Sequence, residues 1–101
     1  MPEIRRTIMN SFKDAQECQM FIMILKQKWS EFDADLKDKF TVEIATDIAD
    51  PRKHTAYLTA QSVEDFKIVD EWAKKEVLPL RNRFSPKSNT FTCELEARFE
   101  F

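Results

Sequence analysis

Residues 91–101 alternate without interruption, with Phe91, Cys93, Leu95, Ala97, Phe99 and Phe101 on one parity and Thr92, Glu94, Glu96, Arg98 and Glu100 on the other. Successive strand side chains point to opposite faces, so this pattern predicts a β-strand with one side on a core and one on something polar. Phe40, Val42 and Ile44 alternate in the same way with Thr41, Glu43 and Ala45, and Ala56, Leu58 and Ala60 alternate with Thr55, Tyr57 and Thr59 over His54–Ala60. The polar stretch from Asp47 to Lys53, with Asp50-Pro51 inside it, supplies the turn between these two strands. A shorter, less regular strand is expected from Pro2 to Asn10, carrying Ile4, Thr7, Ile8 and Met9.

Two other segments follow the helical period. Cys18, Phe21, Ile22, Leu25, Trp29, Phe32 and Leu36 fall on one stripe at spacings of three, four and seven, after Ser11 and Asp14 at capping-box spacing. Met20, Met23 and Ile24 lie off that stripe and add apolar surface suited to a second subunit. The far end, Asp33 to Lys39, is expected to fray or bend. The second helix begins at Ser62 as N-cap, with Glu64 and Asp65 in its first turn, where the helix dipole favours carboxylates. Its stripe is Phe66, Val69, Ala73 and Val77, with Trp72 on the flank, and Pro79 ends or kinks it. Leu80 to Thr90 then reads as a surface loop. Strand, helix, two strands, helix, strand implies right-handed crossovers that place both helices on one face of a four-stranded antiparallel sheet. This is the α+β ferredoxin-like βαββαβ sandwich, expected as one domain over residues 1–101, with the last strand at an edge beside the first.

Composition narrows the functions such a domain serves. The chain has 101 residues, 43% of them hydrophobic, enough for one core but short enough to gain from an oligomeric interface. Lys plus Arg number 16 against 18 Asp plus Glu, a net charge of −2, so no overall basic field draws nucleic acid. An RNA-recognition domain shares the element order but needs aromatics exposed on the two central strands, and Tyr57 alone does not meet that need. There is no glycine, which removes Walker-type loops, dinucleotide fingerprints and nucleophile elbows. Cys18 and Cys93 both stand at apolar positions and read as buried thiols in a reducing, cytoplasmic setting. The N-terminus lacks a signal-peptide pattern, and Met20 to Leu25 is too short an apolar run for a bilayer, so no membrane partner is expected.

His54 is the only histidine, which rules out a site needing two imidazoles from this chain, and no other cluster has metal-ligand spacing; neither metal nor other cofactor is expected. A lone histidine opening a strand reads as a surface side chain before it reads as a general base. Tyr57 has the opposite parity and faces away from it. Glu94, Glu96 and Glu100 share a parity, with neighbours roughly 7 Å apart along an extended strand. Their plainer role is to guard a sheet edge. Arg5 or Arg6 on the first strand is placed to pair with Glu94 or Glu96. Lys74-Lys75 and Arg81 to Arg83 form a small basic patch that balances a helix end.

The stretch from Asp47 to Val69, an Asp-Pro turn leading to a strand and then to Ser62-x-Glu64-Asp65-Phe66, resembles the dimeric α/β-barrel superfamily that includes antibiotic biosynthesis monooxygenase-like domains. Element order matches along essentially the whole chain. Members usually carry a Pro-Gly turn before the second strand and often a Trp late in the third, where this chain has Asp38-Lys39 and Thr59. The resemblance implies a homodimer whose open sheet faces meet in a barrel, with a pocket between helices and sheet in each subunit. Asn10, at the end of the first strand, and Trp72 become pocket candidates, with Tyr57 and His54 as further ligand-binding candidates. Against this, Asn10 can start the helix and Trp72 can pack the core edge. The haem-degrading arrangement wants a histidine on a helix, which helix two lacks. Two functions follow: a homodimeric barrel protein binding a small apolar or aromatic molecule, extending to cofactor-independent monooxygenation, or a non-catalytic binding or regulatory module that uses its polar sheet face. That polar face is either a dimer surface or solvated.

Overall fold

A computed structural model describes residues 3–33, 35–36 and 39–101. Its elements are β1 (Ile4–Ser11), α1 (Ala15–Ser30), β2 (Phe40–Thr46), β3 (Lys53–Ala60), α2 (Val63–Glu76), α3 (Leu78–Phe84) and β4 (Lys87–Glu94). The strands form one antiparallel sheet in the order β2-β3-β1-β4, so the fold is the expected ferredoxin-like one, with β4 at the edge beside β1.

Register assigns each side chain a face. Four rows of paired residues run across the helix-covered face from β2 to β4: Phe40, Ala60, Ile4, Glu94; Val42, Leu58, Arg6, Thr92; Ile44, Ala56, Ile8, Thr90; and Thr46, His54, Asn10, Ser88. The open face carries rows such as Glu43, Tyr57, Thr7, Phe91 and Ala45, Thr55, Met9, Asn89. Three of the four helix-facing rows therefore start apolar on β2 and β3, the row of Thr46 and His54 is polar throughout, and all four end polar on β4.

This pairing corrects the reading of the last strand in two ways. Strand β4 begins four residues earlier than expected and stops at Glu94, because β1 begins at Ile4 and an antiparallel partner runs past the ladder there. Only the Leu95 amide continues it, donating to the Glu3 carbonyl at 2.8 Å, while Phe99 and Phe101 lie exposed beyond. The parity is also the reverse of the expected one: Phe91 and Cys93 point to the open face, and Thr90 and Thr92 to the helix side. A slip of one residue exchanges the two faces of a strand. Here the register is anchored by Ser88 on Asn10 and Thr92 on Arg6, and no packed core covers β4 to demand apolar side chains on the helix side.

The N-cap of α1 is Asp14 itself, which accepts from the Glu17 amide at 2.8 Å, while the Glu17 carboxylate pairs with Lys13 and Ser11 remains in β1. The helix stops at Ser30; Phe32 and Leu36 reach the core from the connection that follows. The bend expected between Asp33 and Lys39 falls partly on Ala34, Lys37 and Asp38, which lie outside the described residues, as does Pro2 at the expected start of β1. At α2, Ser62 caps as expected, accepting from the Asp65 amide. The loop expected over 80–90 is instead α3 followed by the first residues of β4. Pro79 sits in the first turn of α3, where its missing N–H costs nothing, and Leu80 and Phe84, one turn apart, press onto Phe12 and Phe21. Ser85 then closes the helix in the left-handed conformation (φ 49°), a position glycine usually takes and which this glycine-free chain gives to serine.

The buried residues form two clusters. One joins Ile4, Ala56, Leu58, Ala60, Phe66 and Val69 under α2, with Phe32, Phe40 and Val42 against it. The other joins Phe12, Cys18, Phe21, Ile22, Leu25 and Leu80 where α1 meets α3. Trp29 touches both.

Candidate functional site

A cavity of about 310 Å³ opens where the two clusters fail to merge. Phe21, Leu25 and Trp29 of α1, Ala56 and Leu58 of β3, and Val69, Ala73 and Val77 of the α2 region wall it with apolar surface. Its polar lining comes from the β1, β3 and β4 rows as Arg6, Asn10, His54 and Thr90, and from the helices as Asp70, Lys74 and Arg81. Concave, mostly apolar space with a few convergent polar groups is the usual form of a small-molecule site, and this volume stands at the lower end of the range.

His54, expected at the surface, is only 1% exposed. Its parity with Ala56 and Leu58 turns it under the helices, where the Phe21 ring meets it edge-on at 5.5 Å. The Ser88 hydroxyl donates to Asn10 Oδ1, which directs the Asn10 amide to His54 Nδ1 at 3.3 Å and places the ring proton on Nε2. That Nε2 has no partner among the described residues. Burial pushes the imidazole down to about 4, so it is uncharged at neutral pH. Asn10 is buried as well and is occupied by this chain of bonds rather than by a helix start.

The other two candidate residues stand elsewhere. Trp72 does not line the cavity; it packs on Trp29 at 4.5 Å and Phe32 at 4.9 Å, in an aromatic cluster that continues to Phe40. Tyr57 is 45% exposed on the open face. Of the four candidates the fold brings Asn10 and His54 together on the cavity wall; Arg6, Asp70, Lys74, Arg81 and Thr90 line it as well, and Ser88 stands behind Asn10, none of them a pocket candidate from the sequence. Ser88 and Thr90 lay in the expected loop. Arg6 was expected to pair with Glu94 or Glu96, but its guanidinium donates to both Asp70 oxygens and, across the strands, to Thr92 Oγ1, and lies 4.5 Å over the Phe66 ring. Arg5 pairs with Glu3. Glu94 ends β4, and Glu96 and Glu100 lie beyond it, so the three carboxylates do not share a strand face. Of the cysteines, Cys18 is buried and Cys93 exposed, both as free thiols. No described helix is long and apolar enough to cross a membrane, and no cluster of metal-ligating side chains occurs among the described residues.

No protein-family model matches the chain, and no curated protein is similar to it in sequence. Solved structures do match its fold. A dimeric ferredoxin-like protein from an uncultured marine organism superposes with a TM-score of 0.77 at 16% identity, over 100% of this chain and 94% of that one. An antibiotic biosynthesis monooxygenase gives 0.64 at 7% identity, over 94% and 98%. The cofactor-independent oxygenase SnoaB from Streptomyces nogalater gives 0.62 at 10% identity, over 99% and 97%. This chain has the ferredoxin-like fold that those proteins share.

Proposed function

We propose that this protein is a homodimer that binds a small apolar or aromatic molecule in the cavity between helices and sheet, and that its chemistry is cofactor-independent monooxygenation in a cytoplasmic setting. The observation that carries the reading is the cavity itself, apolar on its walls and supplied at the sheet with the neutral Asn10–His54 pair. Fold likeness to a cofactor-independent oxygenase and an antibiotic biosynthesis monooxygenase supports the reaction class, and likeness to dimeric ferredoxin-like proteins supports the dimer. The open face suits such pairing: Met9, Tyr57 and Phe91 are exposed among threonines, and the reversed parity of β4 is what puts Phe91 there.

In this reading the apolar walls hold a ring system and exclude water, while Asn10 and His54 orient an oxygen substituent. The substrate supplies the electrons: a CH₂ group and O₂ give a carbonyl and water, with no external reductant. Light scattering tests the dimer, which requires twice the monomer mass; a monomer at micromolar concentration contradicts it. Oxygen uptake tests the reaction with an electron-rich aromatic such as anthrone as substrate. Binding of anthrone without oxygen consumption contradicts the monooxygenation and keeps the cavity as a binding site; absence of binding contradicts the cavity reading and favours the non-catalytic module that uses its polar sheet face.

A further inference from the structure

The charges around the cavity are unevenly matched. Arg6 and Asp70 neutralise each other. Lys74 and Arg81, from the last turns of α2 and α3, also line it, and among the described residues neither forms an ion pair. Cations at helix ends are ordinary, since they complement the helix dipole. Lys75 and Arg83 occupy the same last turns, however, and neither reaches the cavity. Arg81 is half-buried, and a guanidinium withdrawn from water without an anion forgoes hydration that no partner replaces. The protein as a whole carries a charge of −2, so two unmatched cations at one cavity are not its background field.

We propose that the molecule bound here is an amphipathic monoanion, an aromatic or aliphatic carboxylate, whose apolar body lies against Leu25, Ala56 and Val69 and whose carboxylate meets Lys74 and Arg81. The inference rests on the cavity being a ligand site, as proposed above, and adds the charge of the ligand. Arg81 donates two parallel hydrogen bonds to the carboxylate and Lys74 adds a point charge. Asn10, His54 and Thr90 remain as neutral partners for a second polar group.

Calorimetric titration of the full chain with 2-naphthoate, decanoate and the uncharged 2-naphthamide tests this. At least one acid is expected to bind about tenfold more tightly than the amide, the worth of one charge-assisted hydrogen bond. The acid that binds best identifies the apolar body as ring or chain. In the Lys74→Gln/Arg81→Gln double variant the preference disappears while amide binding persists. In the unmodified protein, added salt weakens the acid and leaves the amide unchanged, a reading that needs no variant. Amide and acids binding equally overturns the anion and leaves the cavity site standing; failure of all three to bind overturns both.

Discussion

The two ends of the helix-covered sheet face are built from the same strands yet finish differently. Toward α2 and β2, Trp29, Phe32, Phe40, Phe66 and Trp72 meet ring to ring at 4.5–6.1 Å, and beside them Trp29, Phe32, Phe40, Val42 and Ile44 line a groove open to solvent. Toward α3 and β4, small and polar side chains (Ala56, Ala73, Asn10, Thr90) leave a cavity. The difference teaches that the sheet's apolar-to-polar gradient from β2 to β4 bears on recognition: β2 and β3 give apolar side chains to the core, whereas small or polar side chains on β1, β3 and β4 leave room for a ligand beneath Phe21, Leu25 and Trp29 of α1.

That division can be broken by mutation. The largest effect is expected at the aromatic end, where Phe66→Ala costs about 4 kcal/mol, the usual scale for truncating a buried aromatic, as read by urea denaturation. Next is the pH response of the cavity end. The unfolded chain protonates His54 near pH 6.5 and the folded chain only near 4, so below 6.5 the unfolded state binds the extra proton. Stability is therefore complete above pH 6.5 and falls between 6.5 and 4, by about 3 kcal/mol; His54→Leu flattens the profile over that window. A matched pair of substitutions probes space directly. Ala60→Leu, in the aromatic end at 0% exposure, overpacks and costs about 2 kcal/mol. Ala73→Leu, on the cavity wall, raises stability by about 1 kcal/mol and abolishes ligand binding. The smallest effect is Asp70→Asn, which frees Arg6 from a half-exposed carboxylate and changes stability by about 0.5 kcal/mol in thermal melts.

Much of the framework is legible in one sequence because it depends on local periodicity and capping. The α1 stripe from Cys18 to Trp29, the Ser62 cap and the two-faced patterns of β2 and β3 all appear where they were expected. What escapes is what depends on partners. The alternation over 91–101 states that the strand has two faces but not which one meets the helices; β1 decides that through Asn10 and Arg6. The α3 segment hides because Pro79 reads equally as the end of one helix or the start of the next. His54 shares parity with Ala56 and Leu58, a signal for burial, but follows a polar turn that points to the surface. Asn10 is a candidate through the resemblance alone, whereas its link to His54 follows only from strand pairing. The cations of the cavity belong to three separate elements and have no common motif.

The most direct test is a ¹H–¹⁵N spectrum of the protein titrated with 2-naphthoate. Shifts concentrated at Asn10, His54, Ala73 and Thr90, with Tyr57 and Phe91 unmoved, are the expected result. Shifts confined to Met9, Tyr57 and Phe91 on the open face, or none at all, would contradict a ligand site between helices and sheet.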